Sequence, residues 1–197
     1  MSRPERTRMN PEQRKALILE TASAAFAVDS FQDVSVAQIA RDTGVSVALV
    51  HKYFASKNGL FAAVLAESFR LLRSRQNAYL QGKESKRDKV VALLEAYLDH
   101  VAELRRPHEV GYFLHGHDER ESNEVRRLYE QSFVVTLRAI IEPNASAHDF
   151  YAVQSFPGFV QSAAVSWVLR GCQPEEKHPV VEVLIGGLEG ALGDWKR

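Results

Sequence analysis

The sequence predicts an all-α fold, and three observations carry that reading. Apolar residues return every three or four positions in one segment after another, the spacing that gives a helix one buried face. No segment shows the sustained alternation of a half-buried strand. The breaks between segments hold residues that cap or end helices, such as Asn10-Pro11, Gly44 and Pro143-Asn144. The pattern divides into an N-terminal three-helix domain over residues 1–61 and a larger helical domain over residues 62–197.

Asn10 caps the first helix, with proline at its first helical position and Gln13 placed to complete a capping box. Leu17, Ile18, Ala22, Ala25 and Phe26 form its buried stripe, and Phe31 and Val34 extend that core beyond a turn at Asp29-Ser30. Ser35 caps a second, short helix, with Gln38 three residues on as a second capping box. Val36, Ile39 and Ala40 share its inner face. Gly44 supplies the positive φ of a tight turn, and Ser46 caps a third helix in which Val50 and Phe54 point inward together.

A fourth helix starts near Ser56 and runs to about Gln81. Its apolar set, Leu60, Phe61, Val64, Leu65, Phe69 and Leu72, links the two domains. A fifth helix from about Ser85 to Leu104 buries Val90, Leu93, Leu94, Tyr97, Leu98 and Val101. Pro107 opens a shorter helix through Tyr112, Phe113 and Leu114, and another helix covers Glu119 to Glu142. Residues Ala147 to Arg170 are helical with a kink or break at Pro157-Gly158. The last helix begins at Pro179 and runs to about Trp195.

The stretch from Ser35 to Phe54, two short helices joined by a glycine turn, has the build of a helix-turn-helix DNA reader. At about 100° per residue, Ala48 and Lys52 point away from Val50, flanked by Leu49 and His51. This face sets small and apolar groups beside one lysine and one imidazole, which suits base edges in a major groove. The same spacing fits a short surface helix of an ordinary α-helical domain, so the motif alone leaves both readings open.

The surrounding residues resemble a known pattern. Ser35, Ile39-Ala40, Gly44-Val45-Ser46, Tyr53-Phe54 and Ser56-Lys57-Asn58-Gly59-Leu60-Phe61 occur in the order and spacing of the tetracycline-repressor (TetR) family of bacterial transcription regulators. The resemblance covers residues 10–61, about the first third of the chain. It implies a cytoplasmic homodimer that reads a near-palindromic operator in double-stranded DNA and answers to a small-molecule effector, most simply as a repressor. The DNA-binding set it implies is Ser46, Val47, Ala48, Leu49, His51, Lys52, Tyr53 and Lys57. Lys52 would meet a base or a phosphate; His51, Tyr53, Lys57 and the start of the fourth helix would meet phosphates. His51 stands where the family often has a tyrosine and Leu49 where a threonine is common, so the operator's base sequence does not carry over. A DNA-binding activator or architectural protein without an effector would share this first third.

Composition bounds the rest. At 45% apolar and 25% charged, the chain has the balance of a folded globular protein rather than a disordered one. Net charge is zero, so any nucleic-acid signal is local. Arg3, Arg6, Arg8, Arg14 and Lys15 crowd the N-terminus against Glu5 and Glu12, which fits either a solvated arm or one that reaches DNA. The lone Cys172 cannot form an internal disulfide and suits a reducing cytoplasm. No apolar run has membrane-spanning length and no signal peptide is visible. His115-Gly-His117-Asp118-Glu119 has metal-binding groups but reads as a polar turn, and no metal or cofactor is expected. No Gly-x-Ser-x-Gly and no phosphate-binding glycine loop occurs, so an enzymatic role is not expected.

Two features of the second domain gain meaning from the resemblance. Tyr97, His100, Tyr112, Phe113, Tyr129, Phe133, Phe156 and Trp167 are candidates to line an effector pocket between helices, although each alone fits a plain core position. The last two helices carry apolar stripes beside Gly186, Gly187, Gly190 and Gly193. An intrachain hairpin explains them, and so does the family's four-helix dimer interface, for which Phe159, Ala163, Trp167, Leu184, Gly187, Leu188 and Ala191 are the candidates.

Overall fold

The computed structural model describes residues 9–104, 120–193 and 195. Its helices are α1 (Pro11–Val28), α2 (Val36–Asp42), α3 (Val47–Phe54), α4 (Lys57–Leu80), α5 (Lys86–Glu103), α6 (Arg120–Ile141), α7 (Ala147–Leu169) and α8 (Pro174–Leu192). No strand occurs among the described residues. The chain divides into two compact units, Met1–Val64 and Leu65–Arg197, and the division falls inside α4. The basic residues Arg3, Arg6 and Arg8, the segment opened by Pro107, and His115 and His117 lie outside the described residues.

In the first unit, Asn10 and Gln13 close a full capping box at the start of α1: the Asn10 side chain accepts from the Gln13 N–H at 2.8 Å, and the Gln13 side chain accepts from the Asn10 N–H at 3.0 Å. Ile18, Ala22 and Phe26 are buried, while Leu17 and Ala25 sit at the margin of the core. The rings of Phe26, Phe31 and Phe61 cluster with centroids 4.8 to 5.9 Å apart and join α1 to α4. At α2 only half of the expected box forms. Ser35 accepts from the Gln38 N–H at 3.3 Å, but the Gln38 side chain turns forward to donate to Asp42 at 2.6 Å. The Gln38 side-chain oxygen that a capping box would turn back to the Ser35 N–H instead accepts from the Arg41 guanidinium, a stronger, charged donor.

The junction of α3 and α4 is tight. Ala55 has φ 63° and ψ −51°, and the Ser56 N–H returns to the Phe54 carbonyl at 2.7 Å, a γ-turn of the rare, strained hand. Ser56 then caps α4 by accepting from the Gly59 N–H at 2.9 Å. A Cβ on Gly59 would lie 2.0 Å from the Phe54 carbonyl oxygen. Glycine is needed here for close approach, since this backbone cannot give way as a side chain can.

In the second unit α5 is the central helix, packed against α6, α7 and α8. Val90, Ala92, Leu93, Leu94, Ala96, Tyr97, Leu98 and Val101 are all buried, so it is enclosed nearly all round, as a core helix is. Its polar side chains find partners. Tyr79 and Lys177 both donate to Asp99 at 2.6 Å, and Ser68 Oγ lies 2.9 Å from His100 Nε2.

The last two helices differ from expectation in three ways. α7 runs unbroken through Pro157, so the missing N–H costs one backbone hydrogen bond without ending the helix. α8 begins at Pro174 rather than Pro179, because proline is well placed in a first helical turn, where its N–H has no helical partner. The Trp167 indole N–H donates to the Gln173 carbonyl at 3.0 Å and anchors that start. Finally, Trp167, Leu184 and Leu188, expected at an association face, are buried within the second unit, where α7 and α8 pack on each other and on α5. Gly187 is covered by the Phe159 ring, whose Cε1 would lie 2.5 Å from an added Cβ, so this close approach is within the chain.

Two predictions follow from this packing. Gly59→Ala should destabilise the protein by about 1–3 kcal/mol, the usual cost of overpacking. Helix propensity alone predicts the opposite sign, a gain of about 0.4–1 kcal/mol. Urea unfolding of the two proteins decides between them, and an unchanged or raised midpoint would contradict the close approach. The second concerns His100, whose pKa burial lowers to about 4, with the nearby Arg75 charge adding to the effect and Glu103 opposing it. The unfolded histidine takes its proton near pH ~6.5. The folded state therefore resists a proton that the unfolded state accepts, and stability falls as pH drops from about 6.5 towards 4. At about 1.4 kcal/mol per unit, the loss is at most roughly 3 kcal/mol. His100→Gln should flatten that part of the stability–pH curve, and an equal slope in the variant would remove His100 as its source.

Candidate nucleic-acid interface

α3 is an eight-residue helix held by both ends and one side. Ser46 accepts from the Leu49 N–H at 3.2 Å, fixing the first turn. Val50 and Phe54 are buried against the rest of the unit. With that side fixed, helical geometry leaves Val47, Ala48, His51 and Lys52 exposed on the other. Leu49 is only half-exposed, at the edge of this face. The face is thus a patch of small and apolar surface with an imidazole and an ammonium at its C-terminal end. Such a surface can enter a major groove, where apolar groups meet thymine methyls and cations meet guanine or phosphate.

The remaining expected contacts are engaged within the unit. The Tyr53 hydroxyl donates to the Pro11 carbonyl at 3.3 Å, tying α3 to the first turn of α1. Lys57 donates to the Gln32 carbonyl at 3.0 Å and stands 4.9 Å from the centroid of the Phe31 ring. Its pKa is lowered by burial, partly offset by Asp33, as befits an ammonium drawn into the fold. His51 Nδ1 lies 3.2 Å from the Ala55 carbonyl, which turns the other ring nitrogen towards the exposed side. Lys52 and Ser46 are exposed on this face.

The second unit holds a cavity between α6 and α7, with about 410 Å³ of atom-free space including its open mouth. Arg126, Tyr129, Glu130 and Phe133 line it from one face of α6, and Pro157, Val160 and Gln161 from α7. Phe69 and Tyr97 complete it, with the Phe69 ring stacked on Tyr129 at 4.4 Å. The buried Gln76 amide donates to the Tyr129 hydroxyl at 3.3 Å. Three of the aromatic candidates, Tyr97, Tyr129 and Phe133, meet here. His100, Phe156 and Trp167 are buried elsewhere in the unit, and Tyr112 and Phe113 lie outside the described residues. The charged pair Arg126 and Glu130 escaped the sequence reading. The signal was an arginine at the head of an inward face spaced as Arg126, Tyr129, Glu130 and Phe133.

Comparison with known proteins agrees with the first unit. The profile described as bacterial regulatory proteins, tetR family, matches residues 18–64. The chain is 34% identical over 121 residues to the HTH-type transcriptional regulator BetI of Rhizobium meliloti, a match covering 61% of this chain and 58% of that protein. The chain spans about three-fifths of the length of the curated relatives it matches. In structure it is similar to a tetR-family transcriptional regulator from Streptomyces coelicolor, with TM-score 0.75, 21% identity, and coverage of 92% of this chain and 84% of that one. It is also similar to the transcriptional regulator FadR from Bacillus subtilis in complex with stearoyl-CoA, with TM-score 0.71, 16% identity, and coverage of 88% and 98%. These structural likenesses concern the fold. The domain match falls on the helices that build the exposed α3 face, so residues 18–64 are similar to the domain shared by the tetR family of bacterial regulatory proteins.

Proposed function

We propose that the chain is a ligand-responsive, DNA-binding transcription regulator that works in the cytoplasm as a homodimer, most simply a repressor released from its operator by a small effector. The observation that carries this reading is the exposed face of α3, Val47, Ala48, His51 and Lys52, on a helix capped and buried on every other side. A rigid helix with one free, weakly charged face is what major-groove reading requires. In this reading Lys52 is the strong donor to a guanine or phosphate, Val47 and Ala48 read thymine methyls, and His51 meets phosphate. Ser46 and the edge residue Leu49 border the same groove, while Tyr53 and Lys57 chiefly hold the helix in place.

Two copies would present two such helices to successive major grooves of a near-palindrome. The outer face of the α7–α8 hairpin suits the association. Phe159 is 40% exposed and Val183 59% exposed, and Gly186 and Gly190 have open space where a side chain would be. Ala163, Gly187 and Ala191 lie on or beside this face. Small residues there let a second hairpin approach closely. The cavity between α6 and α7 is the proposed effector site. Its aromatic lining supports that role, as does a fold relative whose structure holds stearoyl-CoA.

Four outcomes are expected. Once a footprint is known, replacing single thymines with deoxyuridine should cost on the order of 1 kcal/mol at one or more positions per half-site, the low end of a mismatch. Lys52→Ala should weaken binding, and it should reduce the salt slope by about one if its partner is a phosphate. A flat deoxyuridine scan together with a normal Lys52→Ala titration would remove the α3 face as the reading surface. Val183→Arg should shift the protein from dimer to monomer in sedimentation, by placing an unpaired charge in the proposed interface; an unchanged dimer would move the interface elsewhere. Calorimetry with and without operator tests induction, because linkage requires DNA to weaken effector binding by the factor through which effector weakens DNA binding. Equal effector affinities would leave binding without induction.

A further inference from the structure

We propose that the α6–α7 cavity and a groove between α4 and α6, on the other side of Phe69 and Tyr129, are two halves of one site, filled by an elongated apolar molecule that parts this ring pair. This rests on the reading of the cavity as an effector site and adds the shape of what fills it and where it lies.

The cavity is nearly closed as it stands. The room it leaves for a water-sized body is about 30 Å³, enough for a water molecule or two. A hydrocarbon effector therefore enters only if a wall gives way. The groove is roomier, at about 240 Å³, and is lined by Ala66, Arg70 and Arg73 of α4 and by Val125 and Leu128 of α6 beside the ring pair. Among the described residues, Phe69 and Tyr129 are the two that line both hollows. Their ring centroids lie 4.4 Å apart with the planes 14° from parallel, so a stacked pair stands as the partition.

The two rings are not held alike. The buried Gln76 amide donates to the Tyr129 hydroxyl at 3.3 Å, so turning Tyr129 breaks a buried hydrogen bond. Phe69 is hydrocarbon, and turning its ring leaves no polar group of its own unpaired. Phe69 is therefore the ring that gives. Apolar side chains continue on both sides of the pair. Phe133 and Val160 are buried on the cavity side, and Leu128 is 52% exposed on the groove side. An exposed leucine gains when hydrocarbon covers it. A short molecule fills the cavity and the space that Phe69 vacates, whereas a long one continues past Tyr129 into the groove.

The test titrates hexan-1-ol, octan-1-ol and decan-1-ol calorimetrically into the whole chain. At about 0.8 kcal/mol per buried CH₂, each added CH₂ should tighten binding about fourfold, up to decan-1-ol. Ala66→Trp changes an exposed position and fills the groove one helical turn from Phe69. It should leave hexan-1-ol affinity within about twofold and weaken decan-1-ol by about tenfold or more, the two CH₂ groups or more that the groove would have covered. Phe69→Leu removes the stack and keeps an apolar side chain. An aromatic pair worth about 0.5–1.5 kcal/mol converts to a gain of about two- to tenfold for hexan-1-ol. The Ala66→Trp comparison stands even where Phe69→Leu fails to fold. Affinity that levels off at octan-1-ol in the unaltered protein, or decan-1-ol binding unchanged by Ala66→Trp, would overturn the joined site and leave the cavity as an effector site. An equal loss of both lengths in Ala66→Trp would place the alcohols in the groove alone and overturn it too. Unchanged or weaker hexan-1-ol binding in a folded Phe69→Leu would overturn the ring pair as the partition. Binding of none of the three would overturn the joined site and the effector-site reading together.

Discussion

The two-residue junction between α3 and α4 is the constraint on which the presentation of the α3 face depends. The Phe54 carbonyl receives the Ser56 N–H across the Ala55 γ-turn and lies where a Cβ of residue 59 would be. This approach lets α4 leave α3 at once, so within one turn Leu60 is buried and Phe61 meets the Phe26 and Phe31 rings. Phe54 and Val50 are drawn into the same core, and α3 can then rotate no further. Lys57 and Tyr53 brace the arrangement through the Gln32 and Pro11 carbonyls. Side chains that a motif comparison assigns to phosphate therefore have an internal task, orienting their helix. The positive φ at Ala55 is a local cost of order 1–3 kcal/mol that the surrounding contacts hold in place.

The second unit solves a different problem. α5 buries almost its whole surface, so its polar groups must be satisfied by neighbours. Asp99 does so with Tyr79 and Lys177, and His100 with Ser68. The pKa of Asp99 falls despite burial, which acts to raise it, because those two hydrogen bonds and the Lys177 and Arg75 charges outweigh desolvation. His100, with a hydroxyl for a partner and Arg75 nearby, goes the other way for a histidine and stays neutral. The same unit places the largely buried guanidinium of Arg126 in the wall of an aromatic cavity. α4 contributes to both units, Leu60 and Phe61 to the first and Phe69, Leu72 and Gln76 to the second.

Much of this was legible in the sequence. The caps at Asn10, Ser35 and Ser46 are set by residues three apart, and each appears where the spacing puts it. The apolar stripes of α1, α3 and α5 were readable for the same reason, since helical periodicity ties side-chain direction to position. Errors came where a local signal had two solutions. Pro179 looked like a helix start, but Pro174 fills that role better and the helix continues through the second proline. Gln38 looked like a capping partner, but Asp42 was within reach on the next turn.

The sequence by itself determined the fold class, the helix-turn-helix and the face that α3 turns outward, because all three rest on contacts between residues a few positions apart. Tertiary structure alone decided what the long-range partners would be. An apolar stripe states that a helix face will be covered but not by what, so Trp167, Leu184 and Leu188 could serve a second copy or the chain's own core, and they are buried in the core of the second unit. The full lining of the cavity was out of reach for the same reason, although Tyr97, Tyr129 and Phe133 were among the residues the sequence proposed for it. Its lining brings together Phe69, Tyr97, Arg126 and Val160 from four helices, and no periodicity within one helix records which residues of the others will face it.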